Sequence, residues 1–209
     1  NDDQQNNIQP PVTDDTSPSK KPQQLTFTAV EKHTRSDFTV PDGYDFKILH
    51  AVGDPLNSQL AAWDENKIPN GITYDYRVGD NHDGMTFFGM NPSTLTYDGN
   101  ESNQGLLVMN HGYIHRNDLH ARGKNFSASN MTEDEVFREV NAHGVSIIAV
   151  KKNPTTQDIS VDLDSPFNRR ITAATVIDFA GPVRGHELVR TAFSTDGTST
   201  RGTINNCGN

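Results

Sequence analysis

Gly105-Leu106-Leu107-Val108-Met109 is an unbroken aliphatic run opened by glycine, and the polar group Asn110-His111-Gly112-Tyr113-Ile114-His115 follows it at once. A short continuous apolar run without helical period reads as a buried strand. Polar residues at the end of such a strand stand where folds commonly display active groups. Upstream, Met85 to Met90 is a second compact apolar run. Downstream, Val145 to Lys152 is a third, Asn153-Pro154 turns it, and Ile159 to Leu163 alternates as its expected hairpin partner. Weaker alternation marks Leu25 to Val30, Tyr44 to Leu49, Val176 to Phe179 and Leu188 to Phe193 as further strands, the last two separated by Gly181-Pro182. Trp63-Asp64 and Gly71 to Tyr74 lie in a stretch punctuated by Gly, Pro and Asn that favours loops and short strands.

Between these runs one helix is expected, near residues 133–142. Thr132-Glu133-Asp134-Glu135 has the capping-box pattern, and its acidic residues suit the positive end of a helix dipole. Val136, Phe137 and Val140 supply an apolar stripe, and Gly144 a natural terminator. The predicted fold class is mostly β, with several short antiparallel strands, one short helix and long loops. A sandwich, a barrel and part of a β-propeller all fit that description. No clean internal repeat is present, and a complete propeller needs roughly 40 to 50 residues for each blade, more than this chain supplies.

Composition narrows the function classes. The 209 residues carry 27 acidic and 18 basic side chains, a net charge of -9, which argues against a nucleic-acid partner because phosphate backbones demand a basic face. Mean hydropathy of -0.69 is polar for a compact domain. Residues 1–24, rich in Asn, Gln, Asp, Pro and Ser, account for part of it and are expected to be a flexible polar arm. No apolar run approaches the ~18 residues of a membrane span. Asn1 opens the chain and no charged-then-apolar leader is present, so a targeting peptide, where one existed, is expected to have been removed.

Four constellations carry candidate chemistry. Gly79-Asp80-Asn81-His82-Asp83-Gly84 sets carboxylates and an amide between glycines, fit for a hard cation with His82 as ligand or donor, or equally for an Asx-rich turn. Asn110 and His111 are catalytic candidates by placement, although the two histidines 111 and 115 lie outside any helix and share no face by spacing alone. Arg169 and Arg170 can clamp a phosphate in bidentate fashion, or can be surface ion-pair partners. Cys207, the single cysteine, sits in Gly202-Thr203-Ile204-Asn205-Asn206-Cys207-Gly208, a setting suited to a metal-bound thiolate or to a small buried apolar residue.

Taken in order, GDNHDGM (79–85), GLLVMNH (105–111), AHGVSIIAV (142–150), NRRIT (168–172), GPVRG (181–185) and GTINNC (202–207) resemble the PhoX family of bacterial alkaline phosphatases. The resemblance runs from about residue 40 to the end. It implies a β-propeller enzyme, exported to the periplasm or beyond, that hydrolyses phosphate monoesters with a cofactor of iron and calcium. It makes Cys207 an iron ligand, while His82, Asp83, Asn110, His111, Arg169 and Arg170 stand on chemistry and placement. Two departures are visible. Family members often carry an acidic residue after the Asn-His pair, where this chain has Gly112, and they continue past the cysteine with Thr-Pro-Trp-Gly and with glutamates that complete the metal site. Residues 25–209 are therefore expected to be the N-terminal part of such a domain. A non-catalytic β-rich binding or assembly module, or a calcium-stabilised extracellular domain, is the alternative.

Overall fold

A computed structural model describes residues 27–208, so the expected arm over 1–24 lies outside the described residues. The chain divides into two units, Asn1–Lys47 and Ile48–Asn209. In the described part of the first, Phe27 packs edge-on to Tyr44 at 5.6 Å and Phe38 to Phe46 at 4.9 Å. Arg35 binds Asp37, and the Asp45 carboxylate turns back to the amide of Phe46. No strand forms over 27–30 or 44–49. The expected alternation there gives way to local turns and aromatic pairs, with Phe46 and Ile48 left exposed.

The second unit is organised by one antiparallel sheet. Strands β1 (His82–Gly89), β2 (Gln104–His111) and β3 (Gly144–Lys152) pair in that order. The outer edge of β3 is shared by two short strands: β4 (Ile159–Val161) covers 150–152, and β5 (Arg169–Ile171) covers 145–147. Between them the chain leaves the ladder, and the Asn168 side chain fills the gap. Its Oδ1 accepts from the Ala149 amide at 2.7 Å while Nδ2 donates to the carbonyls of Leu56 and Asp162. A second, two-stranded sheet joins β6 (Val176–Asp178) to β7 (Ser199–Arg201). The described residues are thus mainly antiparallel β with few helices, as the alternation predicts.

Side-chain alternation on β2 sends Leu107, Met109 and His111 one way. Met109 joins Leu56, Val78, Ile148 and Val150 in the main core, with Leu49, Leu107 and Val161 against it. Full burial of one such side chain contributes roughly 1.5–3 kcal/mol. A smaller cluster of Tyr74, Ile114, Leu119 and Ala142 joins the short helix α1 (Arg116–Leu119) to helix α2 (Glu133–Ala142). That helix begins as its sequence predicts. Thr132 accepts from the Glu135 amide, and the Glu135 carboxylate returns to the Thr132 amide at 2.8 Å.

Two further expectations are corrected. The apolar stripe of α2 does not form its buried face, for Val136 and Phe137 are exposed and Glu135, Arg138, Asn141 and Ala142 are buried instead. Specific partners make that burial tolerable. Arg122 pairs with Glu135, Arg138 with Asp134 and the Pro69 carbonyl, and Asn141 with Thr172. The second correction is Leu188–Phe193, which is no strand. His186 accepts from the Leu188 amide, and successive i to i+3 bonds wind Glu187–Val189 into a 3-10 turn. Gly71–Tyr76 is likewise a 3-10 turn, anchored where the Gly71 amide donates to Asp134 at 2.6 Å.

Candidate metal centre

The adjacent ends of β1 and β2 build the site. Pairing runs His82 to His111 and Met85 to Met109, so β1 carries one extra residue opposite Asn110. Such a bulge re-aims side chains, and neighbouring residues point to opposite faces. His82 lies on the side of His111, although it is itself exposed, whereas Asp83 lies on the other side with Asn110.

On the outer side, the segment after β7 returns across the strand ends. Gly202 donates to the Thr175 carbonyl at 2.6 Å, and Thr203 donates to the Asn206 side chain at 2.7 Å. Asn205 takes a left-handed φ of 57°. The Gly208 amide then donates to Asp83 Oδ1 at 3.2 Å, and Asn110 Nδ2 donates to the Gly208 carbonyl at 2.7 Å. These clasps bring Cys207, exposed, against Asp83. The Gly208 amide, and after it the Cys207 thiol, hold the Asp83 carboxyl below its usual range; the bond to Asp83 pushes the thiol up. A thiol proton shared with a carboxylate is what a metal ion displaces when it binds both groups.

Gly112 is required by this arrangement. A Cβ there would stand 2.7 Å from the Asn206 carbonyl and 3.0 Å from an Asp83 carboxylate oxygen. The acidic residue that the family resemblance leads one to expect has no room at this position while the 202–208 segment holds its course.

The other side is a row of imidazoles. His82 meets His50 at 5.0 Å and His111 at 5.3 Å between ring centres. Burial, first of all, lowers the pKa of all three, and His111 falls to about 2 under the added influence of Arg170 and His82. The His111 ring is fully spent. One nitrogen lies 3.0 Å from the Asp80 carbonyl and the other 2.6 Å from the Ser146 hydroxyl. Asp80 in turn accepts from the amides of Asn81 and His115, which fixes the 79–83 turn.

The candidate residues thus separate. Cys207, Asp83 and Asn110 come together; His82 and His111 lie behind them on the other face. Arg170 is buried beneath the turn and donates to the carbonyls of Val145, Tyr74, Arg77 and His143. Burial lowers its pKa to about 9. Arg169 is exposed and donates to the Phe167 carbonyl at 2.9 Å. Ser146 and Asn168 hold structural roles to which no motif pointed. The one hydroxyl inside the aliphatic run 145–150 was the available signal for the first, because a polar group in a buried strand needs a partner.

A thiol and a carboxylate side by side suit a borderline metal and a hard cation respectively. Among the described residues, however, no group of three or more His, Cys, Asp or Glu converges on one point. Cys207 and Asp83 fit part of a metal centre.

An antiparallel β unit with a thiol–carboxylate pair at its strand ends defines a class of candidate metalloproteins. Residues 25–209 match the model of the family described as alkaline phosphatase PhoX, and the chain belongs to that family. It is similar to a solved structure of Pseudomonas fluorescens PhoX in complex with vanadate, a transition state analogue, at 27% identity and a TM-score of 0.74. The likeness covers 88% of this chain and 29% of that one, so the chain spans less than a third of the length of its solved relative. No curated protein matches it.

Proposed function

We propose that this chain is part of a metal-dependent phosphatase that hydrolyses phosphate monoesters, to whose metal centre it contributes Cys207 and Asp83. The observation that carries the reading is the contact of the exposed Cys207 thiol with the Asp83 carboxylate, in a chain of the PhoX family. The vanadate held by the solved relative supports phosphate esters as the substrate class.

In this reading Cys207 is the iron ligand, Asp83 an oxygen ligand for iron or calcium, and the fold is one part of a β-propeller in an exported protein. Bound metal ions supply positive charge against the phosphate oxygens, which is most of what phosphoryl transfer asks of a protein. The chain's own groups place them. Asn110 holds the Gly208 carbonyl and so fixes the Cys207 backbone. His82, exposed and set against His50 and His111, stands apart from the Cys207–Asp83 pair. His111, with both nitrogens engaged, holds the turn rather than moving protons. Arg170 is committed to four carbonyls, which leaves the exposed Arg169 as the guanidinium for a phosphate.

Metal content and p-nitrophenyl phosphate turnover, measured together on wild type and Cys207→Ala, test this. The variant is expected to lose iron and about 100-fold or more in turnover, a loss of the size that follows damage to a metal site. Wild-type rate with full iron content in Cys207→Ala overturns the assignment. Calcium alone without hydrolysis in the wild type points to a calcium-stabilised domain, and absence of both points to a binding module.

A further inference from the structure

Beside the thiol–carboxylate pair lies a cavity of about 300 Å3, lined by Tyr113, Arg116, Glu139, His143, Ala173 and Ile204 among others. It adjoins the site through the backbone. Tyr113 follows Gly112, and Asn205, also in the wall, precedes the Asn206 carbonyl that Gly112 approaches. The volume is at the lower end for a small-molecule pocket.

Its chemistry is specific in one respect. Arg116 lines the wall, but its guanidinium is matched by Glu139 at 2.7 and 3.1 Å, and His120 adds a third bond to the same carboxylate at 3.0 Å. The charges in the wall therefore cancel, and a second phosphate finds no free cation there. His143 is 92% buried, being 8% exposed, and its Nδ1 has no hydrogen-bond partner. Burial lowers the His143 pKa, so the ring is neutral at pH 7. Ile114, Val140, Ala173 and Ile204 add apolar groups to the lining, beside Tyr113 and Asn205. A wall without net charge, part aliphatic and with the Tyr113 side chain beside it, suits an uncharged, compact organic group.

We propose that this pocket receives the alcohol portion of the phosphate ester, favouring a compact aromatic group, while the phosphate lies at the Cys207–Asp83 end. The proposal rests on the phosphatase reading, and its test separates the two. The probe is 1-naphthol, the product alcohol of 1-naphthyl phosphate, titrated into the metal-free 209-residue chain and followed through the NMR signals of His143 and Tyr113. Both signals are expected to shift in wild type. Ala173→Phe, which fills the pocket, and Ile204→Ala, which strips an exposed wall, are each expected to weaken the shift about tenfold or more, in line with what pocket contacts of this size contribute. In the metal-loaded protein, the same variants lower the preference for 1-naphthyl phosphate over ethyl phosphate by about the same factor. Naphthol that leaves His143 and Tyr113 unmoved, or that binds both variants as it binds wild type, overturns the pocket whether or not the esters are hydrolysed. Binding here with neither ester hydrolysed overturns the phosphatase reading, and with it the ester as the source of the alcohol.

Discussion

His111 has no exposed surface, and each ring nitrogen meets one oxygen, from Asp80 and from Ser146. Replacing it with leucine keeps the volume and strands the Ser146 hydroxyl in the core. An orphaned buried polar group costs about 1–3 kcal/mol. His111→Leu is therefore expected to lower unfolding stability by about 2–3 kcal/mol in urea titration, and Ser146→Ala by less because the imidazole keeps its carbonyl partner. Arg170 follows the same logic. Beside a strand end, a guanidinium reads in sequence as a phosphate clamp; surrounded by four carbonyls it is a brace. No local pattern distinguishes these roles, since the carbonyls belong to Tyr74, Arg77, His143 and Val145, far apart along the chain. The exposure of Cys207 was legible for the opposite reason. A lone thiol between Asn and Gly residues in a polar segment had few apolar neighbours to hide among.

Helix α2 was legible at its start and misleading along its face. Its capping box is complete, and Thr132→Ala is expected to cost about 1 kcal/mol, measured by thermal or urea unfolding. Glu135 adds a pH signature. Its salt bridge and hydrogen bond to Arg122, then the Thr132 amide, lower its pKa from 4.5 to about 2. A carboxylate depressed in the native state contributes stability that is present above 4.5 and lost as pH falls toward 2. Wild type should lose stability across that window, while Glu135→Gln, weaker at neutral pH, should lose less within it. The buried face of α2 escaped prediction because Glu135, Arg138 and Asn141 are drawn inward by Arg122, Pro69 and Thr172, outside the helix. Periodicity counts apolar residues and has no access to distant partners.

At the scale of the molecule, strands β1 to β4 follow the order in which their apolar runs occur, and the antiparallel ladder was open to reading from alternation and turn residues. The doubling of the outer edge of β3 was not. It depends on Asn168, whose amide replaces a strand's main chain over one residue. Asn168→Ala is expected to cost about 2–3 kcal/mol through its three lost bonds, and to speed hydrogen exchange at the Ala149 amide selectively. Retained protection at that amide would assign the edge to β4 and β5 alone. The Gly208 amide reaches Asp83 across 125 positions of sequence. Closing so long a loop is entropically slow to be rewarded, so during synthesis Asp83 leaves the ribosome long before its clasp does. The thiol–carboxylate pair is consequently a late product of folding, and until Gly208 emerges the sheet can be complete while its rim still lacks that pair.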